Sequence, residues 1–440
     1  MEPPLLRYPP PMSAFLIPET GEIRRRIAAR NAGRAVRLSR RLRAVADAAN
    51  RRQALEALDA VLSGGRGARR DEFLLGAGVR GWLADAEGAI AIARPERGTS
   101  DLALFERVSH GAHLRELMPR GCLDRDFRRR ARRLGERSLA RAFARVPLLL
   151  AFRTPPDRTF GPFEVDGSAD GEEARAAGEI HIDHPAPLAL TLRGRVTLFL
   201  LSGGVRIDAG RRAPEIRARP SIGGTGILLA RRVASTRGGL RTGAHCPEIG
   251  KKLDTALEII RSVWPEAHAE TCAHTHVVVP LRERGTVSYS LPDRPGFSYV
   301  NVAGKSMIDL ADDLVHEAAH HRLHALEEVE GPLDCDDGEP RYVSPWRRGV
   351  RPLHGILHAA YTFCWRAELL RRLLAVRSRR VAGVPLDAVW LRGELHRETA
   401  ALGSSLRDLA DAERRGLLTG PGMAIRRAVA RRVMAGDAPG

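Results

Sequence analysis

Apolar residues in the first third of the chain recur at helical spacing. Leu38, Leu42 and Val45 fall on one face, as do Leu55, Leu58 and Leu62, with arginines opposite. This period predicts amphipathic helices from about Ile23 to residue 145, after a proline-rich, extended stretch over residues 1–20. The texture then turns to alternation. Ile180 and Ile182, then Leu188, Leu190 and Leu192, alternate with polar residues, and the apolar run Val196–Leu201 is followed by Gly203-Gly204. A period of two bounded by glycine predicts strands joined by turns. Gly223-Gly224-Thr225-Gly226 lacks the Gly-Lys-Ser/Thr ending of a phosphate loop and is expected to be another such turn. Leu253, Leu257 and Ile260 mark a helix over 249–263, while Val277–Val279 and Thr286–Leu291 read as strands. From Met307 the pattern is helical again, interrupted by a Gly/Pro/Asp-rich loop at 331–352. The expected fold class is α+β: a helical N-terminal region (1–145), a β-rich region (146–300) and a helical metal-binding region (301–440).

Composition narrows the partners. A chain of 440 residues with 43% hydrophobic and 28% charged residues can build two or three buried cores, and it has no apolar run of membrane-spanning length. The N-terminus, Met1-Glu2-Pro3-Pro4-Leu5, has neither the basic nor the apolar segment of an export signal. The five cysteines are scattered and never spaced as CxxC, which argues against a disulfide framework or a cysteine zinc site and for a reducing cytoplasm. The formal net charge of +18 is almost all arginine, lysine occurring only at Lys251, Lys252 and Lys305. With Ala and Gly abundant, part of that charge reflects a GC-rich coding sequence. Arg24-Arg25-Arg26 and Arg128-Arg129-Arg130 read as solvated helix faces. Aromatic residues are only 5%, and no basic stretch is interleaved with stacking side chains, so no nucleic-acid partner is expected.

The chemistry concentrates in His316-Glu317-Ala318-Ala319-His320, set in an Ala- and Leu-rich segment without Gly or Pro. Residues four apart on a helix project side by side, so His316 and His320 can chelate one divalent cation, with Glu317 as base or outer partner. His321 and His324 read as spare histidines of the same helix. A histidine ten residues after His316 would complete one type of metalloprotease site, but that position is Leu326. Glu339, at a tempting spacing, sits in the turn-forming Asp334-Cys335-Asp336-Asp337-Gly338-Glu339-Pro340, a poor place for a helical ligand. Asp334, Asp336 and Asp337 are expected to be a solvated turn. A further helix, from about Leu353 to Arg377, carries His354 and His358 four apart, with Tyr361 and Trp365 on nearly the same face. Either histidine could complete a three-ligand site.

Three blocks then occur in order: Leu314–Leu323 around the HExxH motif, Arg341-Tyr342-Val343-Ser344-Pro345-Trp346-Arg347, and Arg351-Pro352-Leu353-His354-Gly355-Ile356-Leu357-His358-Ala359-Ala360-Tyr361. Over roughly residues 290–375 the chain resembles the HExxH-motif proteins encoded beside ribosomal peptide natural-product genes, a family of Fe(II)/2-oxoglutarate-dependent peptide β-hydroxylases. The resemblance implies that His316, His320 and His358 bind Fe(II). It implies that Arg347 and Arg351 receive the distal carboxylate of the 2-oxoglutarate co-substrate, since a guanidinium fork matches a carboxylate, with Ser344 assisting. Val343 is an extra residue inside the second block. Glu317 would orient a ligand or be one. Non-haem iron oxygenases commonly use two histidines and a carboxylate, so an all-histidine set would leave the metal more positive. The implied substrate is a ribosomal precursor peptide. Two other expectations stand beside this one: a zinc metallopeptidase with Glu317 as general base, and a peptide-binding protein whose histidines hold a structural zinc.

Overall fold

The computed structural model describes residues 20–47, 49–63, 68–110, 126–151, 163–165, 188–192, 196–201, 204–209, 216–218, 221–229, 233–235, 239–241, 247–281, 287–292, 295–347 and 349–436. Helices α1 (Thr20–Ala44), α2 (Ala49–Ser63), α3 (Ala68–Leu75), α4 (Ala77–Ala93), α5 (Asp101–His110) and α6 (Phe127–Ala151) come first. Short strands follow among the described residues: β1 (Phe163–Val165), β2 (Leu188–Leu192), β3 (Val196–Leu201), β4 (Gly204–Ala209), β5 (Ile216–Ala218), β6 (Ser221–Ile222), β7 (Ile227–Leu229), β8 (Val233–Ser235) and β9 (Gly239–Arg241). Next are α7 (Pro247–Val263), α8 (Pro265–His274), β10 (Val277–Leu281), β11 (Tyr289–Ser290), β12 (Phe297–Asn301) and α9 (Met307–Glu330). The chain closes with β13 (Tyr342–Val343), β14 (Val350–Arg351), α10 (Leu353–Leu374), β15 (Arg380–Val381), β16 (Val384–Pro385), α11 (Ala388–Arg414) and α12 (Gly420–Gly436). The described residues are mostly helical with short strands, and no described helix is long and apolar enough to cross a membrane.

Two compact units emerge, one of residues 28–220 and one of 1–27 with 221–440. They do not coincide with the three consecutive stretches expected from the sequence. Contacts, rather than chain order, define a unit, and the start of α1 packs with the C-terminal half.

In the 28–220 unit the expected helical stripe is buried: Leu38, Leu42, Leu55, Leu58 and Leu62 are each at most 1% exposed. Val45, just past the end of α1, is half-buried. Helices α4 and α6 pack closely where Gly135 meets α4; a Cβ there would lie 2.3 Å from the Ala93 nitrogen, so only glycine permits the approach. The buried Trp82 indole donates to the Ala142 carbonyl at 3.0 Å, so its polar edge is paired as it enters the core. Strands β2, β3 and β4 form an antiparallel sheet in which Leu190 pairs with Leu198 and Leu198 with Ile207. Ile180 and Ile182, and the proline-rich stretch up to residue 19, lie outside the described residues.

The other unit holds the HExxH segment. Its sheet runs β11-β12-β10-β7-β6, with β10 parallel to both β12 and β7. Gly223–Gly226 is the expected turn, joining antiparallel β6 and β7, with φ of 56°, 65° and 82° at Gly223, Gly224 and Gly226. Helix α9 packs on β11 and β12 and against α7, α8 and α10, and α10 in turn packs against α11 and α12. Leu253, Leu257 and Ile260 of α7 are buried, and the rings of Trp264 and Trp365 meet at 5.4 Å in the same core. The first turns of α1 are tied to this unit: Arg24 donates to the Ala273 carbonyl at 2.5 Å, and Arg26 pairs with Glu330. Part of the Arg24–Arg26 run is therefore anchoring rather than solvated face. Helix α8 and strand β12 carry no periodicity strong enough to be read from the sequence, although β12 is the strand that brings Ser298 beneath α9.

Candidate metal centre

The HExxH helix begins with a reciprocal cap. Ser306 Oγ accepts from the Asp309 nitrogen at 3.2 Å, and Asp309 Oδ2 accepts from the Ser306 nitrogen at 3.0 Å. It stops at Gly331, whose φ of 92° suits only glycine. Between these ends, His316, His320, His324 and Glu327 fall within roughly 80° of the helix circumference, forming one polar stripe.

Helix α10 faces this stripe in the opposite direction. His316 meets the Phe363 ring edge-on at 4.7 Å, whereas His320 and His324 meet His358 at centroid distances of 6.1 and 5.5 Å. Glu327 Oε1 lies 3.0 Å from His358 Nε2 and 3.5 Å from His354 Nδ1. Residues 316, 320/324 and 327 thus meet 363, 358 and 354 in reverse order. Ligand atoms of His320, His324 and His358 come within 4.8 Å of one another, and so do those of Glu327, His354 and His358. His316 stands one helical turn along, its ring 4.9 Å from that of His320.

The structure therefore brings His320 and His358 together, keeps His316 beside His320, and adds His324, which the sequence reading set aside as spare. A signal existed: His324 and Glu327 continue the His316–His320 stripe at i+8 and i+11. His321, in contrast, points to the sheet, where Gly296 N–H donates to Nδ1 at 3.3 Å and Ser298 Oγ lies 3.2 Å from Nε2. It is a satisfied core histidine. Asp334, expected in a solvated turn, is instead partly enclosed 3.6 Å from His354 Nδ1. Asp337 keeps the expected surface role, whereas the Asp336 side chain is only 4% exposed; both pair with Arg341.

The donor set suits a divalent cation. Metal ligation requires neutral imidazole. Burial holds His316 down at about 3 and His320 well below its usual range, and it also lowers His358 against the opposing bond to Glu327. His316, His320 and His324 keep some exposed surface, as an open coordination position needs. Glu317 is 2% exposed; burial pushes its carboxyl up to about 8 against the pull of the Ser290 hydroxyl, and its Oε2 has no hydrogen-bond partner among the described residues.

The second sequence block forms one wall. Buried Ser344 accepts from the Arg347 backbone nitrogen at 3.2 Å, and Trp346 stacks on Phe363 at 4.4 Å, the ring that also touches His316. The Arg347 charge consequently acts on both His316 and Glu317. Arg351 lies exposed on β14, which pairs with β13 through Tyr342, and no ion partner for it is seen among the described residues.

Behind this wall one guanidinium serves three carboxylates. Arg366 contacts Asp312 at 2.7 Å and Glu394 at 3.0 Å and also pairs with Glu398, which accepts from the Trp346 indole at 2.8 Å. Burial outweighs the Arg366 charge and raises Asp312 to about 7, with Glu398 raised as well. The unfolded chain loses the Asp312 proton near its ordinary value of 3.8, so between about 4 and 7 the folded state binds more protons. Stability is expected to fall as pH rises through that window and to level above it. Thermal melts across the window should show Asp312→Asn with a flatter decline than the parent; an unchanged slope would exclude Asp312 as its source.

In comparisons with known proteins, no family model and no curated protein matches the chain.

Proposed function

We propose that the protein is an Fe(II)/2-oxoglutarate-dependent oxygenase that hydroxylates a β-carbon in a ribosomally made precursor peptide. The observation that carries this reading is the pairing of a neutral histidine cluster with a cationic wall: Arg347, set on a turn braced by Ser344 and by Trp346 on Phe363, bears on His316 and Glu317. A guanidinium at the edge of a metal centre favours an anionic co-substrate with a carboxylate to spare.

In this reading His320 and His358 hold the metal, with His316 and His324 as the candidates for the third ligand. The metal and co-substrate together supply oxygen activation coupled to decarboxylation of 2-oxoglutarate to succinate. Arg347 receives the distal carboxylate, Ser344 holds the turn that aims Arg347, and Phe363 covers His316 from water. Arg351, on the exposed hairpin, is a weaker candidate for the same carboxylate. The zinc-peptidase alternative calls for Glu317 as general base on a metal-bound water.

The test is reconstitution. The full chain, prepared without oxygen, is given Fe(II), 2-oxoglutarate, O2 and a short peptide encoded beside its gene. A mass gain of one oxygen matched by succinate is expected; cleavage without 2-oxoglutarate would sink the proposal. Arg347→Ala is expected to raise the 2-oxoglutarate concentration for half-maximal rate by about 10–100-fold, the loss of one charge-assisted bond pair. Arg351→Ala should raise it less. An unchanged requirement in both would remove the arginines from the site.

A further inference from the structure

Helices α9 and α10 are also joined by a buried hydrogen bond that contains no metal ligand. Arg322 Nη1 donates to the Tyr361 hydroxyl at 3.1 Å, and the two residues are only 1% and 3% exposed. Arg322 follows His320 by two residues and Tyr361 follows His358 by three. Along the helix axes the bonded residues therefore lie within about 3–5 Å of the two histidines. Around α9, Arg322 is turned about 160° from His320, so it belongs to the core side of the helix and not to the histidine stripe.

The guanidinium is held from a third helix as well. Its Nε lies 3.3 Å from Glu270 Oε2 on α8. Glu270 in turn accepts from the Thr20 hydroxyl of α1 and lies 3.4 Å from His274 Nε2. Glu270 and His274 are both buried. One arginine thus links α8, α9 and α10 inside the core.

Such a group is costly if its task is adhesion alone. Removing a guanidinium and a carboxylate from water carries a penalty, and an apolar set of the same volume would hold the helices at least as firmly. What the polar contact adds is direction. An apolar interface tolerates a slide of one residue, about 1.5 Å, because any apolar neighbour will serve. The same slide takes a 3.1 Å hydrogen bond to the limit of bonding distance or past it. The metal centre depends on that slide, since its ligands must be placed to within about 0.5 Å. His320 and His358 stand on the two helices concerned, with ring centroids 6.1 Å apart.

We propose that Arg322 and Tyr361 are a positioning pair for the histidine centre. Anchored on Glu270, their bond fixes the axial register of α9 against α10 and hence the separation of His320 from His358. Neither residue supplies a donor to the cation; the pair acts on affinity and coordination geometry. The inference rests on the metal-centre part of the proposed function and not on its oxygen chemistry.

Tyr361→Phe removes one hydroxyl and keeps the ring. The chelator-stripped full chain and its variants are titrated with Zn(II) by calorimetry. Each is also loaded with Co(II), whose visible absorption reports coordination geometry. Tyr361→Phe is expected to bind Zn(II) about tenfold more weakly, the lower end of the loss when a group supporting a metal ligand is removed. Its Co(II) band should change while its circular dichroism matches the parent's. Arg322→Lys keeps the charge beside Glu270 but not the fork, and should show a similar loss. The double variant should lose no more than either alone, because both changes remove one bond. Parental affinity and an unchanged Co(II) band in Tyr361→Phe overturn the proposal. So do losses that add in full, which would mean that the two side chains act separately through packing. Should Arg322→Lys fail to fold, Tyr361→Phe decides alone. A parent that binds no Zn(II) retires the metal centre and the positioning role together, whereas Zn(II) binding without succinate formation retires only the oxygenase reading.

Discussion

The His320→Ala protein is expected to lose its divalent cation and with it all turnover. With His358, His320 is shared by both ligand arrangements proposed for the histidine centre. Its ring lies 4.9 Å from that of His316 and 6.1 Å from that of His358, and its ligand atom clusters with those of His324 and His358. Loss of a mere outer partner of a metal ligand costs about 10–100-fold in affinity, so loss of a central ligand should cost more. His316→Ala and His324→Ala provide the contrast. The residue that completes the site should match the His320→Ala loss, and the other should retain measurable binding. Full metal binding by His320→Ala, seen by metal analysis of the desalted protein, would place the centre elsewhere.

Arg366→Met should give the largest loss of stability of any substitution near the site. Arg366 is 20% exposed and stands among Asp312, Glu394 and Glu398, whose side chains are 20%, 15% and 5% exposed. Removing one partner of a buried ion pair leaves uncompensated charge, typically costing about 3–5 kcal/mol. For a unit of this size that is a fall in Tm of roughly 6–20 °C. Methionine keeps most of the volume, so a lost cavity does not explain the effect. Function should suffer as well. Glu398 holds the Trp346 indole, and Trp346 holds the turn that aims Arg347, so the 2-oxoglutarate requirement should rise in the surviving folded protein. Arg366→Lys keeps the charge but not the fork and should fall in between. A melting curve for Arg366→Met within a degree of the parent would show that the cluster is neutralised by protons alone.

These two cases mark what was legible in the chain. His320 could be read from spacing, because neighbours on one helix are set by 3.6 residues per turn. Arg366 could not. It is one arginine among many, four residues before an unremarkable Leu370, and only the convergence of α9, α10 and α11 gathers its three carboxylates. The α7, α9 and α10 helices were each legible, as was the Gly223–Gly226 turn, because local periodicity and turn chemistry carry them. Helix α8, strand β12 and the grouping into two units were not, since they depend on contacts between distant segments.

The sequence by itself determined the His316–His320 pair on one face of α9; the continuation of the stripe to His324 and Glu327 and the cap at Ser306 came with the structure. Spacing narrowed the facing helix to His354 and His358, and the family resemblance favoured His358. The tertiary structure sets the two in different surroundings. The antiparallel meeting of α9 and α10 sets His358 opposite His320 and His324 and leaves His354 to Glu327. The close contact at Gly422, where a Cβ would lie 1.9 Å from the Leu333 oxygen, brings Asp334 in from a loop that reads as solvated. The physical reason is that spacing along a helix is fixed by backbone geometry. The register between helices is set by packing across the whole unit, which no short stretch of sequence contains.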